Sequence, residues 1–434
     1  MNVVVAKTET DHPLRKILLI PRGRLPGAGK VADLRRQAFD AYEAAGLPHR
    51  RIEEWKYTDL RALMREVLPL APAPDAAALD RARGGLKPVV INGATRLVLV
   101  DGIFVPELSD TAEAGVTLRT LRDALEDGDS NLLVTEPSDA MVSLNAAMAT
   151  DGMVISVADG ATLTRPLQII HVATVSKASA FTRSQVKIGR GARATLVENF
   201  VGADGARAYQ AHDAVLLSIG DGAELTQVRL MADATDAVNI TSAVIAIGAK
   251  VKFNLFNMTA GGAVSRYQGF VAMVGEGSEV NVNGVNLLKG TQHGDTTLVV
   301  DHAVPHCTSR EVFRAVIDDR AHSVFQGRII VRPHAQKTDG KMMTRALLLS
   351  DEAEADNKPE LEIFADDVTC GHGATAGALD ESLLFYLRAR GLPEKEAQAL
   401  LIQAFVGEAI EGIADDDLRE AVMATAERWL EARA

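Results

Sequence analysis

Two short stretches, Ile188-Gly-Arg-Gly-Ala192 and Ile219-Gly-Asp-Gly-Ala223, decide the expected fold of this 434-residue sequence. Each has an apolar residue, two variable residues, a glycine and a small residue. The same form occurs at Val157–Ala161 and Val274–Ser278, and a weaker copy lies at Ile247–Val251. In chain order the copies are 31, 31, 28 and 27 residues apart, and an alternating strand pattern follows each one. Turns that recur at such a spacing are typical of solenoids.

A single repeat of this kind cannot bury its own apolar face, so stacked repeats must share one core. The composition agrees, because 47% of the residues are hydrophobic and only 4% are aromatic, which favours thin layers of small and β-branched side chains. We therefore predict a mainly β fold built on a β-solenoid, most simply a parallel β-helix. An antiparallel sandwich with similar turn spacing is the alternative, since periodicity alone does not determine which strands pair.

Four parts are expected along the chain. Residues 1–30 are a mobile or loosely docked lead, and residues 31–150 are an N-terminal mixed helical unit. Residues 151–375 are the solenoid core, and residues 376–434 are a C-terminal helical domain. An open solenoid has raw strand edges at its ends. We expect the N-terminal unit to cap one end and the last coil to stay free to pair with another subunit.

Two features of the N-terminal unit carry specific expectations. Pro88–Asn92 and Arg96–Val105 are typical of a pair of strands around Asp101-Gly102. Trp55 lies among charged residues, where we expect it to pack as an aromatic anchor in preference to stacking on a ligand.

The C-terminal domain is expected to contain three helices. The first begins after Asp380, an N-cap residue, and the second begins at Pro393. Asp415 would cap the third, whose apolar face is Leu418, Val422, Ala426 and Trp429. In the second helix the expected apolar face consists of Ala397, Leu400, Leu401, Ala404, Phe405 and Ala409. Val406 and Ile410 lie partly off this face, which hints at a partner-binding surface.

Charge and composition exclude several classes of protein. The net charge is −12 with no block of Lys and Arg, which argues against a nucleic-acid-binding protein. Two cysteines are too few for a disulfide framework or a self-contained iron–sulfur site. No segment approaches the roughly 20 apolar residues of a membrane helix, and we expect a cytoplasmic protein with no membrane or nucleic-acid partner.

Cys370-Gly-His372 is the best candidate for chemistry, because it places a thiol and an imidazole two residues apart. The spacing alone is too short to be a specific zinc signature, so a buried thiol beside a hydrogen-bonded histidine is the alternative. A second cluster contains His293, His302, His306 and Cys307, for which we expect structural roles.

Asp366 and Asp367 are paired carboxylates, as in a glycosidase. Adjacent residues of a strand point to opposite faces, so solvated or capping acids are the more natural interpretation. A β-helix polysaccharide lyase or hydrolase that uses this pair is nevertheless retained as a second class of function.

Four blocks of sequence resemble a known family. They are Glu53–Leu60, Pro305–Glu311, Ala335–Asp339 and Lys358–Thr375, the last continuing through Leu379–Gly391. In these blocks the chain is similar to the SufB/SufD family, whose members assemble iron–sulfur clusters in the bacterial SUF system. The likeness is dense from about residue 300 to 391 and chiefly architectural from about 90 to 290.

The resemblance implies a right-handed parallel β-helix, a heterodimer with a SufB-like subunit through the β-helix ends, and a C-terminal domain that docks a SufC-like ATPase. The chain has Met343-Thr344-Arg345 where SufB-like members carry a cysteine, and Gly371-His372-Gly373 where they carry a His-Glu pair. Both departures favour the SufD type within the family. The family's role is a non-enzymatic scaffold.

The resemblance also implies site residues. His372 would contribute to a transient iron–sulfur cluster shared across the subunit interface, with Cys370 second as a nearby soft group. Residues expected to bind the ATPase are Leu384, Phe385, Tyr386, Arg388, Leu400, Phe405 and Val406. A metal-free homodimeric scaffold is a third hypothesis. The sequence leaves open whether a flavin binds and whether the chain forms a homodimer in isolation.

Overall fold

A computed structural model describes residues 25–64, 68–134, 139–413 and 415–432. The expected mobile lead, residues 1–30, lies outside the described residues except for its last six. In those six, the Pro26 carbonyl oxygen accepts a hydrogen bond from Nε of Arg35 (3.2 Å), just before the first described helix.

The N-terminal part contains short helices and three strands. The helices are α1 (Lys30–Ala45), α2 (Leu60–Leu63), α3 (Ala76–Leu86), α4 (Leu121–Glu126) and α5 (Ala140–Met148). Single 3₁₀ turns occur at Glu53–Trp55, Pro106–Leu108 and Ser130–Leu133. The strands are β1 (Thr95–Val100), β2 (Ile103–Phe104) and β3 (Val116–Thr120).

From residue 153 the described chain is built of strands that alternate between two sheets. They are β4 (Met153–Val157), β5 (Leu167–Ala173), β6 (Ser179–Ile188), β7 (Arg193–Gly202), β8 (Gln210–Ile219), β9 (Glu224–Ala232), β10 (Val238–Ile247), β11 (Lys252–Thr259), β12 (Val264–Met273), β13 (Glu279–Leu288), β14 (His293–His302), β15 (Thr308–Ile317), β16 (His322–Val331), β17 (Asp339–Leu348), β18 (Glu354–Ile363) and β19 (Thr369–Gly377). Three helices follow: α6 (Glu381–Ala389), α7 (Glu394–Ile410) and α8 (Asp416–Glu431).

The predicted β-solenoid is confirmed, and the antiparallel sandwich is excluded by the strand pairing. Even-numbered strands β4 to β18 pair in parallel in one sheet, and odd-numbered strands β5 to β19 pair in parallel in the other. Each strand inside the stack therefore hydrogen-bonds to strands one coil before and one coil after it. The interior between the sheets, called the lumen below, is filled by small and branched side chains such as Ile188, Val215 and Leu225.

The repeated turn has a glycine at its second position because successive turns stack closely. A Cβ atom on Gly220 would lie 2.8 Å from the backbone nitrogen of Arg190 in the preceding turn. The fourth position needs a positive φ, which is 69° at Gly222, and the weaker copy places Lys250 there with φ of 55°. The copy at Val274 is shifted by one residue, since Met273 is the residue in register with Ile247 and Val274 is 57% exposed.

The N-terminal part closes the first coil. β1 pairs in parallel with β5, and β3 pairs antiparallel with β4, so both sheets are extended before the repeats begin. The expected strand pair is partly wrong. The hairpin around Asp101-Gly102 consists of β1 and β2, whereas Pro88–Asn92 forms no strand.

Trp55 packs as predicted and anchors a segment that crosses the outer face of the even-numbered sheet. Its ring is 1% exposed, lies 3.7 Å from the Arg266 guanidinium and donates through Nε1 to Asp139 (3.1 Å). Farther along, Glu54 pairs with Arg328 (3.4 Å) and Glu53 pairs with Lys358. The segment thus ties the N-terminal part to the last coils.

The C-terminal helices fold back over the outer face of the odd-numbered sheet. The N-caps of α6 and α8, Asp380 and Asp415, are confirmed by their hydrogen bonds to backbone amides of the first turn. The apolar face predicted for α8 is buried as expected.

The face predicted for α7 is only partly correct. Ala397 and Ala409 are buried as predicted, but Ile402, Val406 and Ile410 are buried as well, whereas Leu400 is 46% exposed. The helix is apolar on two faces, and packing of the branched side chains against the sheet decides which one is buried.

We predict that Gly220→Ala lowers the free energy of unfolding by about 2 kcal/mol, because the added methyl group collides with the backbone of the preceding turn. Gly84→Ala is the control. Its Cβ would meet no atom within 4 Å inside α3, so it should raise stability by about 0.5–1 kcal/mol. Urea unfolding followed by circular dichroism measures both. Equal stability of Gly220→Ala and the wild type would contradict the stacked-turn explanation.

Candidate functional site

The candidate site lies where the solenoid ends. β18 and β19 are the terminal strands of their sheets, and each pairs with a described strand on one side only. Burial falls accordingly, because β19 has no fully buried residue whereas β15 is buried over its second half. We call the free edges of these two strands the open end.

β19 presents Cys370 and His372 at the open end. Cys370 pairs with Gly340 and His372 with Met342, the register that continues the rows of the preceding coils. Cys370 packs against the lumenal core and is partly buried, while His372 is exposed. Residues two apart on a strand share a face and are separated by about 7 Å. The pair therefore faces the lumen at a point that a second chain can reach.

Burial disfavours the thiolate form of Cys370. It raises the pKa of Cys370 above its ordinary value, and the carboxylates of Asp339 and Glu311 raise it further. Glu311 lies deeper in the lumen, in the row that runs through Met342 to His372. Burial raises the pKa of Glu311 to about 8. We did not single out Glu311 from the sequence, although it ends the block Pro305–Glu311.

The second histidine cluster is structural, as predicted. His302 is fully buried and its Nε2 lies 3.0 Å from the Ser309 hydroxyl. His293 is buried, with Nε2 2.8 Å from the Thr58 hydroxyl, while His306 adopts a positive φ of 61° in the turn before Cys307. Burial lowers the pKa of His293 and His302 to about 4 each, so both imidazoles are neutral.

Asp366 and Asp367 lie in the exposed turn between β18 and β19. The Asp367 carboxylate forms an ion pair with Lys337, and its backbone amide donates to Gln336 (2.9 Å). These contacts are those of a turn-stabilising acid, which supports the interpretation preferred from the sequence.

The ATPase-binding residues expected from the sequence lie on α6 and α7. Phe385, Tyr386 and Leu400 are 73%, 52% and 46% exposed, and Arg388 is also exposed. Leu384 and Phe405 are partly buried. Val406 requires correction, because its side chain is fully buried against the odd-numbered sheet and is not part of the surface.

The described part of the chain lacks a complete metal site. No three His, Cys, Asp or Glu side chains there lie close enough together to hold a metal ion. A cluster bound at Cys370 and His372 therefore needs ligands from elsewhere. None of the described helices combines the length and the apolar character that crossing a bilayer requires.

Comparisons with known proteins point to one family. The family model for the SUF system FeS cluster assembly SufBD core domain matches residues 171–405, and the model for the SufBD protein N-terminal region matches residues 27–169. The iron–sulfur cluster assembly protein SufD of Escherichia coli is 31% identical, covering 87% of this chain and 88% of the relative.

Two further relatives are also iron–sulfur cluster assembly proteins. A SufBD family protein of Synechocystis is 29% identical, covering 88% of this chain and 87% of the relative. SufD of Bacillus subtilis is 26% identical over 66% of each chain.

We predict that Cys370 is alkylated slowly at pH 7 and that its rate keeps rising above pH 9.0, the ordinary pKa of a thiol, because burial raises the pKa and keeps the thiol protonated. Iodoacetamide labelling across a pH series, followed by mass spectrometry, measures this. Cys370→Ser is the control and should lose most labelling, since Cys307 is buried. A labelling rate that levels off below pH 8 would refute the assignment of a protonated thiol.

Proposed function

The chain belongs to the SufBD family of SUF-system iron–sulfur cluster assembly proteins, and from that premise we propose that it is a non-enzymatic scaffold subunit. It pairs through the open end with a SufB-like subunit. A SufC-like ATPase binds its C-terminal helices. His372 is the ligand that this chain gives to a transient cluster at the subunit junction, and Cys370 is a second, nearby soft group.

The observation that carries the proposal is the position of His372. Its imidazole is exposed at the unpaired edge of the last coil, beside a half-buried thiol. The described residues supply no third ligand. A second solenoid stacked on the open end would satisfy the free strand edges and bring its own ligands to the same place.

An imidazole suits temporary binding. Neutral imidazole is a borderline ligand, whereas stable clusters are usually held by about four thiolates. A cluster held partly by His372 is therefore easier to release to an acceptor protein. The raised pKa of Cys370 acts in the same direction, because proton loss from this thiol has a cost that weakens metal binding.

The exposed face of α6 and α7 supports the ATPase-binding surface. Aromatic side chains often dominate the binding energy of interfaces. Leu383, Phe385 and Tyr386 are 51%, 73% and 52% exposed on one helix, and such a group of exposed apolar side chains marks an interaction surface. No described residue of α6 is buried, so the helix has few contacts to lose when a partner binds.

The same helix is linked directly to the site. β19 ends at Gly377 and α6 begins at Glu381, so three residues separate the strand that bears His372 from the helix that bears Phe385. Movement of the ATPase would pull on α6 and, through it, on β19. That step would strain the junction and expose the Cys/His pair to iron and sulfide.

A second copy of this chain would also satisfy the free edges of β18 and β19, which keeps the metal-free homodimer as the competing hypothesis. Mixing with the SufB-like and SufC-like subunits during size-exclusion chromatography discriminates between them. A homodimer that does not exchange its subunits would favour the competitor.

We predict that His372→Ala lowers cluster formation in the reconstituted three-subunit complex by about tenfold or more, because an interfacial ligand is lost. His334→Ala is the matched control, since His334 is exposed in the turn between β16 and β17 and is not on β19. Visible absorption with iron and sulfide analysis measures the cluster, and size-exclusion chromatography measures assembly. Unchanged cluster yield at unchanged assembly would remove His372 from the mechanism.

We predict that Phe385→Asp weakens binding of the ATPase subunit about 30-fold, because a charge replaces a 73% exposed aromatic ring on the proposed surface. Ser382→Asp places the same charge at an exposed position of the same helix and should change affinity little. Titration calorimetry gives both constants. If the two variants bind equally well, the surface lies elsewhere.

A further inference from the structure

The last two strands leave different residues unpaired at the open end. Along a strand of a parallel sheet, successive residues bond alternately to the strand on one side and to the strand on the other. At the start of β18, the Glu354 amide donates to the Ala321 carbonyl oxygen (3.0 Å). Directly after its end, the Phe364 amide donates to the Val331 carbonyl oxygen (2.9 Å), so residues of β18 with even numbers bond to the preceding coil. The residues at its free edge are Ala355, Asn357, Pro359, Leu361 and Ile363.

The free edge of β19 follows from the same alternation. The Thr369 amide donates to the Thr338 carbonyl oxygen (2.9 Å), so residues of β19 with odd numbers bond to the preceding coil. The residues at its free edge are Cys370, His372, Ala374 and Ala376. Each of them has an N–H and a C=O group, so this edge offers an uninterrupted row of donors and acceptors.

β18 carries two features that natural proteins use against the addition of a strand. Pro359 lies at the middle of its free edge, where it has no N–H to donate. The residues that alternate with the free-edge residues are all charged: Asp356, Lys358, Glu360 and Glu362. Lys358 forms ion pairs with Glu53 and with Glu360 (3.1 Å), which hold these side chains beside the strand. Proline and charged side chains on an edge strand disfavour pairing with another chain.

β19 has neither feature. It contains no proline and no Lys, Arg, Asp or Glu, and the residues that alternate with its free-edge residues include Gly371, Gly373 and Thr375. An unprotected edge of this kind is a template for an added strand, which binds through main-chain hydrogen bonds.

We propose that a strand of the SufB-like subunit adds to β19, and that β18 gains no paired strand in the complex. This inference rests on the proposed function and refines it, because only one of the two free edges takes part in strand addition. The added strand would pair with the backbone of Cys370 and His372, at a separation of about 5 Å from β19. Its lumen-facing side chains would therefore lie beside the candidate ligands, and the hydrogen bonds that join the subunits would also fix the backbone of those ligands.

Two matched proline substitutions test the inference in the full-length chain. Ala374→Pro removes an N–H from the free edge of β19 but no hydrogen bond of the solenoid, and Ala355→Pro does the same on β18. We expect Ala374→Pro to weaken binding of the SufB-like subunit by at least about tenfold, and Ala355→Pro by less than about threefold. Isothermal titration calorimetry measures both affinities, and circular dichroism checks that both variants keep the fold.

Hydrogen exchange followed by mass spectrometry tests the same point without a substitution, so it decides the question even if a proline variant does not fold. When the SufB-like subunit binds the wild-type chain, the free-edge amides of β19 should exchange at least about tenfold more slowly, because each gains a hydrogen-bond acceptor. Peptides from β18 should change less, since no strand is added there.

Equal effects of the two proline variants on binding would overturn the inference. Equal slowing of exchange in the two strands would also overturn it, as would unchanged exchange in β19 within a complex that forms. A wild-type chain that does not bind the SufB-like subunit at all would contradict the proposed function itself, so the two failures are distinguishable.

Discussion

Parallel pairing between successive coils is the constraint on which the rest of the structure depends. Every strand inside the stack obtains its hydrogen-bonding partners from the coil before and the coil after it. All coils must therefore keep one register and turn at the same place, which is why glycine recurs where turns stack. The same rule leaves the last coil without a partner, so the end of the stack differs chemically from its middle.

The outer faces of the two sheets carry apolar side chains, and the N-terminal and C-terminal parts of the chain pack over them. The C-terminal helices bury a layer of branched residues, among them Ile402 and Val406, against the odd-numbered sheet. On the even-numbered sheet, α1 and α5 pack with Trp55 and Phe181 over part of the surface. The rest of that face carries partly buried apolar residues in register, such as Val244 and Phe270. Each end of the chain thus covers the outer face of one sheet, and the even-numbered sheet is covered only in part.

Residues that repeat could be predicted from the sequence, and residues that depend on distant packing could not. The turn copies at Ile188 and Ile219 indicated the solenoid because each coil meets the same neighbours. The buried face of α7 was predicted only in part, because two of its faces are apolar and only the contact with the sheet distinguishes Val406 from Leu400.

Contacts between residues far apart in the sequence were also missed for the segment that contains Trp55. Local sequence predicted the packing of its ring, but the ion pair from Glu53 to Lys358 joins residues that are 305 positions apart. The open end could be predicted because the last coil of any solenoid lacks a following coil to pair with. Glu311 was missed because its burial depends on the coils above and below it.

Burial along the lumen distinguishes a histidine inside the stack from the one at its open end. His302 lies within the stack, where its side chain is 0% exposed and burial lowers its pKa to about 4. Its ring is neutral and is enclosed by neighbouring coils, so an incoming ion cannot reach it. His372 lies on the opposite sheet, in the lumenal row of Glu311 and Met342, and no described coil lies beyond it. The lumen that encloses His302 is thus open at β19, and three residues separate that strand from α6.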